Sequence, residues 1–273
     1  MPELPEIETI LRSVAPLVVG REIRTVDVRC AALRLTLAAR FADELRGRSI
    51  VAGRRRAKYL LFELDDGRAW ILHFGMSGRL YHAGRLAEYV VVKHDHVLVS
   101  LDDGSGLVFH DPRRFGLMTV DDPDRSPLLA GIGPEPLDVE EFNGCYLAAL
   151  RRRTRRTVKD VLMDQRMVAG LGNIYVNEIL YVAGVRPRRR FARMSAVDCE
   201  RVAAATRDIL REAIEHRGSS ISDFLDGIGR RGAYQWRRRV YGRNGEPCVR
   251  CRTAIKGVVV GQRASFYCPT CQR

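Results

Sequence analysis

The chain has 273 residues, 46% of them hydrophobic, and carries 46 Lys and Arg against 33 Asp and Glu, a formal charge of +13 with a pI near 9.9. That length suits one large domain or two ordinary ones, and the positive excess favours a polyanionic partner, most simply nucleic acid. The apolar runs are too short to span a bilayer, no signal peptide is expected before the first helix, and an aromatic content of 7% argues against a stacking platform for single strands.

Pro5 is expected as the first residue of a helix whose apolar face is Ile7, Ile10, Leu11 and Val14, stopped at Gly20. Glu3, Glu6 and Glu8 lie at the positive end of its dipole. Short β-branched or alternating segments follow at Glu22–Arg29, Ser49–Ala52, Lys58–Leu64, Ala69–Phe74, His96–Leu101 and Leu107–His110. Turn signals at Asp65-Asp66-Gly67 and Asp102-Asp103-Gly104 punctuate them, and a short helix is expected at Phe41–Leu45. Residues 1–120 thus read as a mostly antiparallel β domain, a sandwich or barrel. The Pro-, Gly- and acid-rich stretch 121–138 reads as a linker. Helical patterning returns at Glu140–Arg151, Thr157–Met163, Asn173–Ala183 and Ala196–Glu215, which defines a helical domain over 139–236, and residues 237–273 form a cysteine-bearing end. The fold class is α+β, with an N-terminal β-sandwich and flanking helices.

Cys30, Cys145 and Cys199 are scattered and read as core or surface thiols, whereas Cys248, Cys251, Cys268 and Cys271 follow a C-x2-C-x16-C-x2-C spacing. Two such pairs suit four thiolates around one tetrahedral structural zinc ion; disulfides or another metal are the alternatives. Residues between the pairs alternate like a hairpin, with Gly261-Gln262-Arg263 at its tip. So small a segment buries little core, and a metal would supply its folding energy. Gly170-Leu171-Gly172-Asn173 reads as a Gly-rich turn into a helix with Asn173 as N-cap, a place where backbone N–H groups favour an anion. Arginine runs at 54–56, 151–153, 188–190 and 237–239 supply fork-shaped donors suited to phosphate.

Removal of Met1 would leave Pro2 as a secondary amine, with an α-amino pKa of about 8 and so a usable unprotonated fraction at neutral pH. Attack of that amine on an aldehyde-level carbon gives a cationic iminium, an electron sink, and the carboxylate of Glu3 is placed to move protons.

Pro2-Glu3-Leu4-Pro5-Glu6-Ile7-Glu8 resembles the start of the formamidopyrimidine-DNA glycosylases (the Fpg/Nei family), and further motifs extend the resemblance in order to Cys271. They include Lys58 in Arg56-Ala57-Lys58-Tyr59, His73-Phe74-Gly75-Met76, Lys93-His94-Asp95-His96, His110-Asp111-Pro112-Arg113-Arg114-Phe115-Gly116, and the Gly170–Asn173 turn. The resemblance implies a helix–two-turn–helix module within the helical domain and a zinc-ribbon hairpin after it. It implies excision of oxidised purines such as 8-oxoguanine and formamidopyrimidines from damaged double-stranded DNA, followed by β,δ-elimination. Pro2 would be the nucleophile, Glu3 the proton carrier, and Lys58 and Arg263 the partners of the leaving phosphates. Met76 and Phe115 would fill the hole left by the flipped base, with Arg113 at the orphaned opposite base. His73 would contact the DNA, and His94, Arg155, Lys159, Asn173 and Tyr241 its backbone. Leu4 and the Asp111–Gly116 motif point to the formamidopyrimidine branch. Two departures stand out: Phe74 where the family usually has leucine, and Arg230-Arg231-Gly232-Ala233 in the 219–236 loop that would cover the flipped base.

The alternatives are an oxidised-pyrimidine (Nei-type) glycosylase, a non-catalytic damaged-DNA-binding protein on the same scaffold and, more remotely, a transcription-factor zinc ribbon, which the N-terminal motif does not fit. The expected setting is the bacterial cytoplasm, without a membrane partner, and a monomer is the default.

Overall fold

The computed structural model describes residues 1–220 and 224–273, the side chain of Arg152 excepted. The first helix, α1, spans Leu4–Val18 and buries Leu4, Ile7, Ile10, Val14 and Val18 along one face. Pro5 is its second residue, not its first. Glu3 is the N-cap, and its N–H donates to the Glu6 carboxylate at 2.9 Å, which starts the helix one residue earlier.

Eight strands follow, with a short helix among them: β1 (Ile23–Val28), α2 (Phe41–Leu45), β2 (Ile50–Arg56), β3 (Tyr59–Leu64), β4 (Ala69–His73), β5 (Arg79–Ala83), β6 (Asp95–Leu101), β7 (Gly106–His110) and β8 (Leu117–Asp121). They form two four-stranded sheets, ordered β1-β6-β7-β5 and β2-β3-β4-β8, antiparallel throughout. All six expected strand segments and α2 are present. β5 and β8 were not expected, β2 runs on through Arg54–Arg56, and Lys58 lies in the turn before β3.

Side chains of both sheets and of α1 meet in one core, among them Ile10, Val26, Phe62, Trp70, Val99 and Phe109, so the β domain is a sandwich. β3 and β4 also bury their other faces, where Leu61, Ala69 and Ile71 pack under Tyr59 and Leu129. Burial on both faces explains why Tyr59–Leu64 and Ala69–His73 read as near-continuous apolar runs.

The chain divides into two compact units, Met1–Ala130 with His216–Ala233, and Gly131–Glu215 with Tyr234–Arg273. Residues 216–233 return to pack with the first unit. There Ser219 N–H donates to the Glu6 carboxylate at 2.7 Å, Gly227 N–H to Ser13 Oγ at 2.9 Å, and Phe224 joins the sandwich core. Of the expected 219–236 covering loop, residues 221–223 lie outside the described residues.

The second unit contains α3 (Gly144–Leu150), α4 (Val158–Met163), α5 (Asn173–Val182), α6 (Ala196–Glu215) and a hairpin of β9 (Lys256–Val260) and β10 (Arg263–Tyr267). α3 starts later than the expected Glu140, because Asp138 draws the Glu140 and Glu141 N–H groups into a turn and Asn143 caps the helix at Tyr146 N–H. Gly172, not Asn173, is the N-cap of α5, and Asn173 is its first helical residue. No helix among the described residues is long and apolar enough to cross a membrane.

Candidate active site and nucleic-acid interface

Strand pairing gathers the first unit's motif residues at one end of the sandwich. The loop after β4 and the loop after β7 both cross between the sheets. His73 pairs with Leu117 in one sheet and Arg79 with His110 in the other, so the two loops leave from neighbouring strand ends. Tyr59 pairs with His73 and Asp95 with His110, which brings the β2–β3 turn and the start of β6 to the same end.

Lys58 sits in that β2–β3 turn and is 6% exposed, although three arginines precede it at 54–56. The turn is made by Ala57 at φ 50°, a left-handed conformation that disfavours a side chain. Arg55 holds it, donating to Ala57 O at 3.1 Å and to Glu8 at 3.2 Å. Glu3 is 3% exposed and Pro2 half-buried at the start of α1. The chain's terminal ammonium lies below its ordinary pKa, chiefly through burial; Glu3 and Glu6 oppose the shift, while Lys58 and Arg113 reinforce it. The N-terminus therefore shares one electrostatic neighbourhood with Glu3, Glu6, Lys58 and Arg113.

The two crossing loops fit together through glycine. Gly75 has φ +57°, and a Cβ there would meet Phe115 O at 2.2 Å. Gly78 and Gly116 both rest on the Phe109 ring, where an added Cβ would fall 3.0 Å and 2.6 Å from it. Phe74, the departure from the family pattern, packs into the core with its ring 6.0 Å from that of Phe109. On this platform Met76 and Phe115 remain 43% exposed, unusual for such apolar side chains, and the Arg113 guanidinium lies 4.8 Å from the Phe115 ring centroid. His94, half-buried at φ 78°, accepts Asp111 N–H at its carbonyl.

His73 accepts Gly75 N–H at Nδ1, and burial, with help from Lys58 and Arg34, lowers its pKa to about 4. It is a neutral ring at physiological pH. Sequence reasoning missed Asp111 as a hub. Fully buried, it accepts from Ser77 Oγ at 2.5 Å and Gly116 N–H at 2.7 Å, and its carbonyl pairs with His96 at 3.0 Å. An Asp-Pro at a strand end was the available signal.

In the second unit the expected phosphate residues converge on the hairpin. Lys159 is 0% exposed, and its ammonium donates to Ala264 O at 2.9 Å and Ser265 Oγ at 2.6 Å. It is thus buried against the hairpin, not presented to a ligand. Asn173 donates to Ala264 O at 3.1 Å, and Asn177 accepts Phe266 N–H at 2.7 Å. These bonds fix β10, whose first residue, the exposed Arg263, follows the turn Gly261-Gln262. Both turn residues have positive φ, and a Cβ on Gly261 would collide with Asp160 Oδ1 at 2.1 Å. Gln165 staples the glycine turn before α5, donating to Leu171 O at 2.8 Å and accepting Gly170 N–H at 2.9 Å. Tyr241 stacks edge-on against Phe266 at 5.4 Å. Its segment is held by fully buried Glu178, which accepts the N–H groups of Arg239, Val240 and Tyr241 at 2.7, 3.0 and 2.8 Å. Burial raises the pKa of Glu178, and the three donors oppose the rise. Nothing in the sequence singled out Glu178 or Gln165. Arg155 lies on the turn before α4, where its carbonyl accepts from Arg190.

The four expected cysteine sulfurs lie within 4.8 Å of one another, with Cys251 3.4 Å from Cys268 and Cys271, and Cys248 3.9 Å from Cys271. A tetrahedron with Zn–S bonds of about 2.3 Å has edges of about 3.8 Å, so the cluster fits the ion. Arg250 and Cys271 N–H groups point at the sulfurs of Cys248 and Cys268, and Tyr181 OH lies 3.2 Å from Cys248 Sγ. The four cysteines form the site of one structural zinc, and its knuckles pack on α5 through Tyr181, Val240 and Ile255.

A β-sandwich, a helix–two-turn–helix and a four-thiolate hairpin together define a DNA glycosylase fold. The formamidopyrimidine-DNA glycosylase N-terminal domain matches residues 1–118, the formamidopyrimidine-DNA glycosylase H2TH domain 132–225, and the zinc finger found in FPG and IleRS 245–273. The formamidopyrimidine-DNA glycosylase of Cereibacter sphaeroides is 42% identical over 284 aligned positions, and that of Xanthomonas oryzae 44% over 274, each covering 100% of both chains. The Lactococcus lactis FPG complexed with Fapy-dG-containing DNA superposes with a TM-score of 0.90 at 34% identity, covering 99% of this chain and 100% of that one. Its complex with abasic-site DNA gives 0.89 at 33% identity, covering 99% of each chain. The chain belongs to the formamidopyrimidine-DNA glycosylase family.

Proposed function

We propose that this protein is a bifunctional DNA glycosylase and abasic-site lyase that removes oxidised purines, 8-oxoguanine and formamidopyrimidines, from duplex DNA. The observation that carries the reading is the convergence of the N-terminal amine, buried Glu3 and buried Lys58 at one end of the sandwich, beside exposed Met76 and Phe115. Family membership and the lesion-DNA complexes of the Lactococcus lactis relatives support it.

The roles follow from chemistry. With Met1 removed, Pro2 N is a secondary α-amine, whose ordinary pKa of about 8 leaves a usable neutral fraction at neutral pH. Pro2 N attacks C1′ of the damaged nucleotide and the base leaves, while Glu3 protonates the sugar ring oxygen. The cationic iminium acidifies the C2′ proton, and successive β- and δ-elimination break the strand on both sides. Lys58 and Arg263 offer charge to the departing phosphates, and Met76, Phe115 and Arg113 occupy the vacated stack. His73 contacts the DNA, His94, Asn173, Tyr241 and Arg155 position the backbone, and Lys159 acts through the hairpin that carries Arg263. Bound zinc supplies structure, not chemistry. The site of action is the cytoplasm, on chromosomal DNA.

The test is reductive trapping. Protein shown by mass to lack Met1 is mixed with a duplex bearing one 8-oxoguanine and treated with borohydride. A covalent adduct mapping to Pro2 is expected, and Glu3→Gln should bind the duplex but cut it about 10²–10⁴-fold more slowly. A processed protein that binds the lesion yet yields no adduct overturns the reading.

A further inference from the structure

Around Arg155, the second unit carries an unusual concentration of arginines that have no role above. One turn runs from Arg151 through Arg153 to Arg155 and Arg156; a second runs from Arg188 to Arg190 and on through Phe191–Arg193. The two turns are laced together by backbone. Thr157 and Arg190 form a β-bridge, Arg190 Nη1 donates to Arg155 O at 2.8 Å, Phe191 N–H to Arg156 O at 3.0 Å, and Arg151 Nη1 to Met194 O at 2.7 Å. Carbonyls, not carboxylates, receive most of these cations.

The nearby acids are already engaged. Asp164 pairs with Arg156 and Arg166, and Asp198 with Arg189 and Arg201. Among the described residues nothing pairs with the side chains of Arg153, Arg155 or Arg193, all of them exposed. A cleft of about 550 Å³ opens between the turns, lined by Arg151, Arg153, Thr154, Arg155 and Ala192. Unopposed like charges at this density repel, and a polyanion relieves that repulsion. The lining offers no large apolar side chain to anchor a protein partner. Arg188 adds continuity, donating to Val259 O at 3.2 Å on the hairpin that carries Arg263.

We infer that this arginine surface binds backbone phosphates of the same duplex beyond the lesion, lengthening the protein's footprint along flanking DNA. The inference rests on the proposed function, because it takes a lesion duplex as the occupant. Such contacts add affinity and salt dependence without reading sequence.

The experiment uses duplexes of two lengths, one just over a helical turn and one of three turns, each made with a stable abasic analogue for binding and with 8-oxoguanine for excision. Binding of intact, zinc-loaded protein is measured across a salt series. Arg153→Ser/Arg193→Ser should match the unaltered protein on the short duplex, both in binding and in excision of 8-oxoguanine. On the long duplex its slope of log K against log salt should be shallower by about 1.8, at about 0.9 per lost phosphate contact. Arg153→Lys/Arg193→Lys should retain the slope. Equal losses on both lengths would assign these arginines to the lesion site or the fold, and no change on either would leave a solvated face; each overturns the inference. Failure of the unaltered protein to excise from the short duplex would instead overturn the glycosylase reading.

Discussion

In the first unit the loops that present Met76 and Phe115 rest on Phe109, a ring inside a core shared by two sheets and α1. In the second, α4 buries Val158, Val161 and Leu162 and the cysteine-bearing end packs on Tyr181, but the five-residue strands of the hairpin are mostly exposed or half-buried. These strands are tied down by bonds from Lys159, Asn173 and Asn177 to backbone groups of β10, and by four thiolates. One set of functional side chains is held by packing, the other by polar staples and a metal. The two should therefore fail under different insults.

The largest effect should come from chelating zinc or from Cys251→Ser. Zinc-thiolate sites of this kind contribute about 10–16 kcal/mol to folding. Loss of the ion should release the hairpin and lesion-DNA binding while leaving buried Trp70 fluorescence in the first unit unchanged. Loss of the Trp70 signal at the same chelator concentration would break the contrast. Phe109→Ala should act in the opposite sense. Removing a buried phenylalanine costs about 3–5 kcal/mol, read as a fall in the first unit's melting midpoint. The crossing loops lose their platform, so strand cutting should drop while zinc content stays stoichiometric by metal analysis.

The smallest effect, about 2–3 kcal/mol per group, concerns acid. His73 titrates near 4 when folded and near 6.5 when unfolded, so the unfolded chain takes up its proton first. Its contribution to stability is therefore intact above pH 6.5 and is lost as pH falls towards 4. For Asp164 and Asp198, burial opposes the shift, but hydrogen bonds from Arg166, Arg156, Ser195 and Arg201 hold both near 2. Their contribution, all in the second unit, persists above pH 4 and is lost between 4 and 2. Amide exchange across this range should show the first unit weakening at milder pH than the second.

Much of this was legible in the sequence, and the misses have a pattern. β2, β5 and β8 are all sheet edges. Edge strands are short and polar because their open sides face solvent, so Arg54–Arg56 read as a charge run and Arg79–Ala83, with only Leu80 buried, carried no alternation. The central strands, buried on one or both faces, were found. The four cysteines announced themselves by spacing. Lys159 and Asn173 did not announce their contacts, since Ala264 lies 105 and 91 residues away along the chain. Without a known partner, a lysine at the start of a helix reads as a free cation. Asp111 and Glu178 escaped notice because a buried carboxylate is defined by the N–H groups around it, and these come from loops whose path no local pattern specifies.

The return of residues 216–233 to the first unit sets an order on how the molecule can be made. Glu6, near the start of the chain, waits for the N–H of Ser219, 213 positions later, and half-buried Phe224 packs against a core whose buried residues all precede residue 121. A chain emerging from the ribosome N-terminus first must therefore carry an unfinished sandwich, with a buried carboxylate lacking that donor, until the helices of the second unit have been synthesised. Cutting the gene after residue 130 would not isolate a finished first unit, whereas a circular permutant keeping 216–233 joined to α1 would bring its most distant stitches close in sequence.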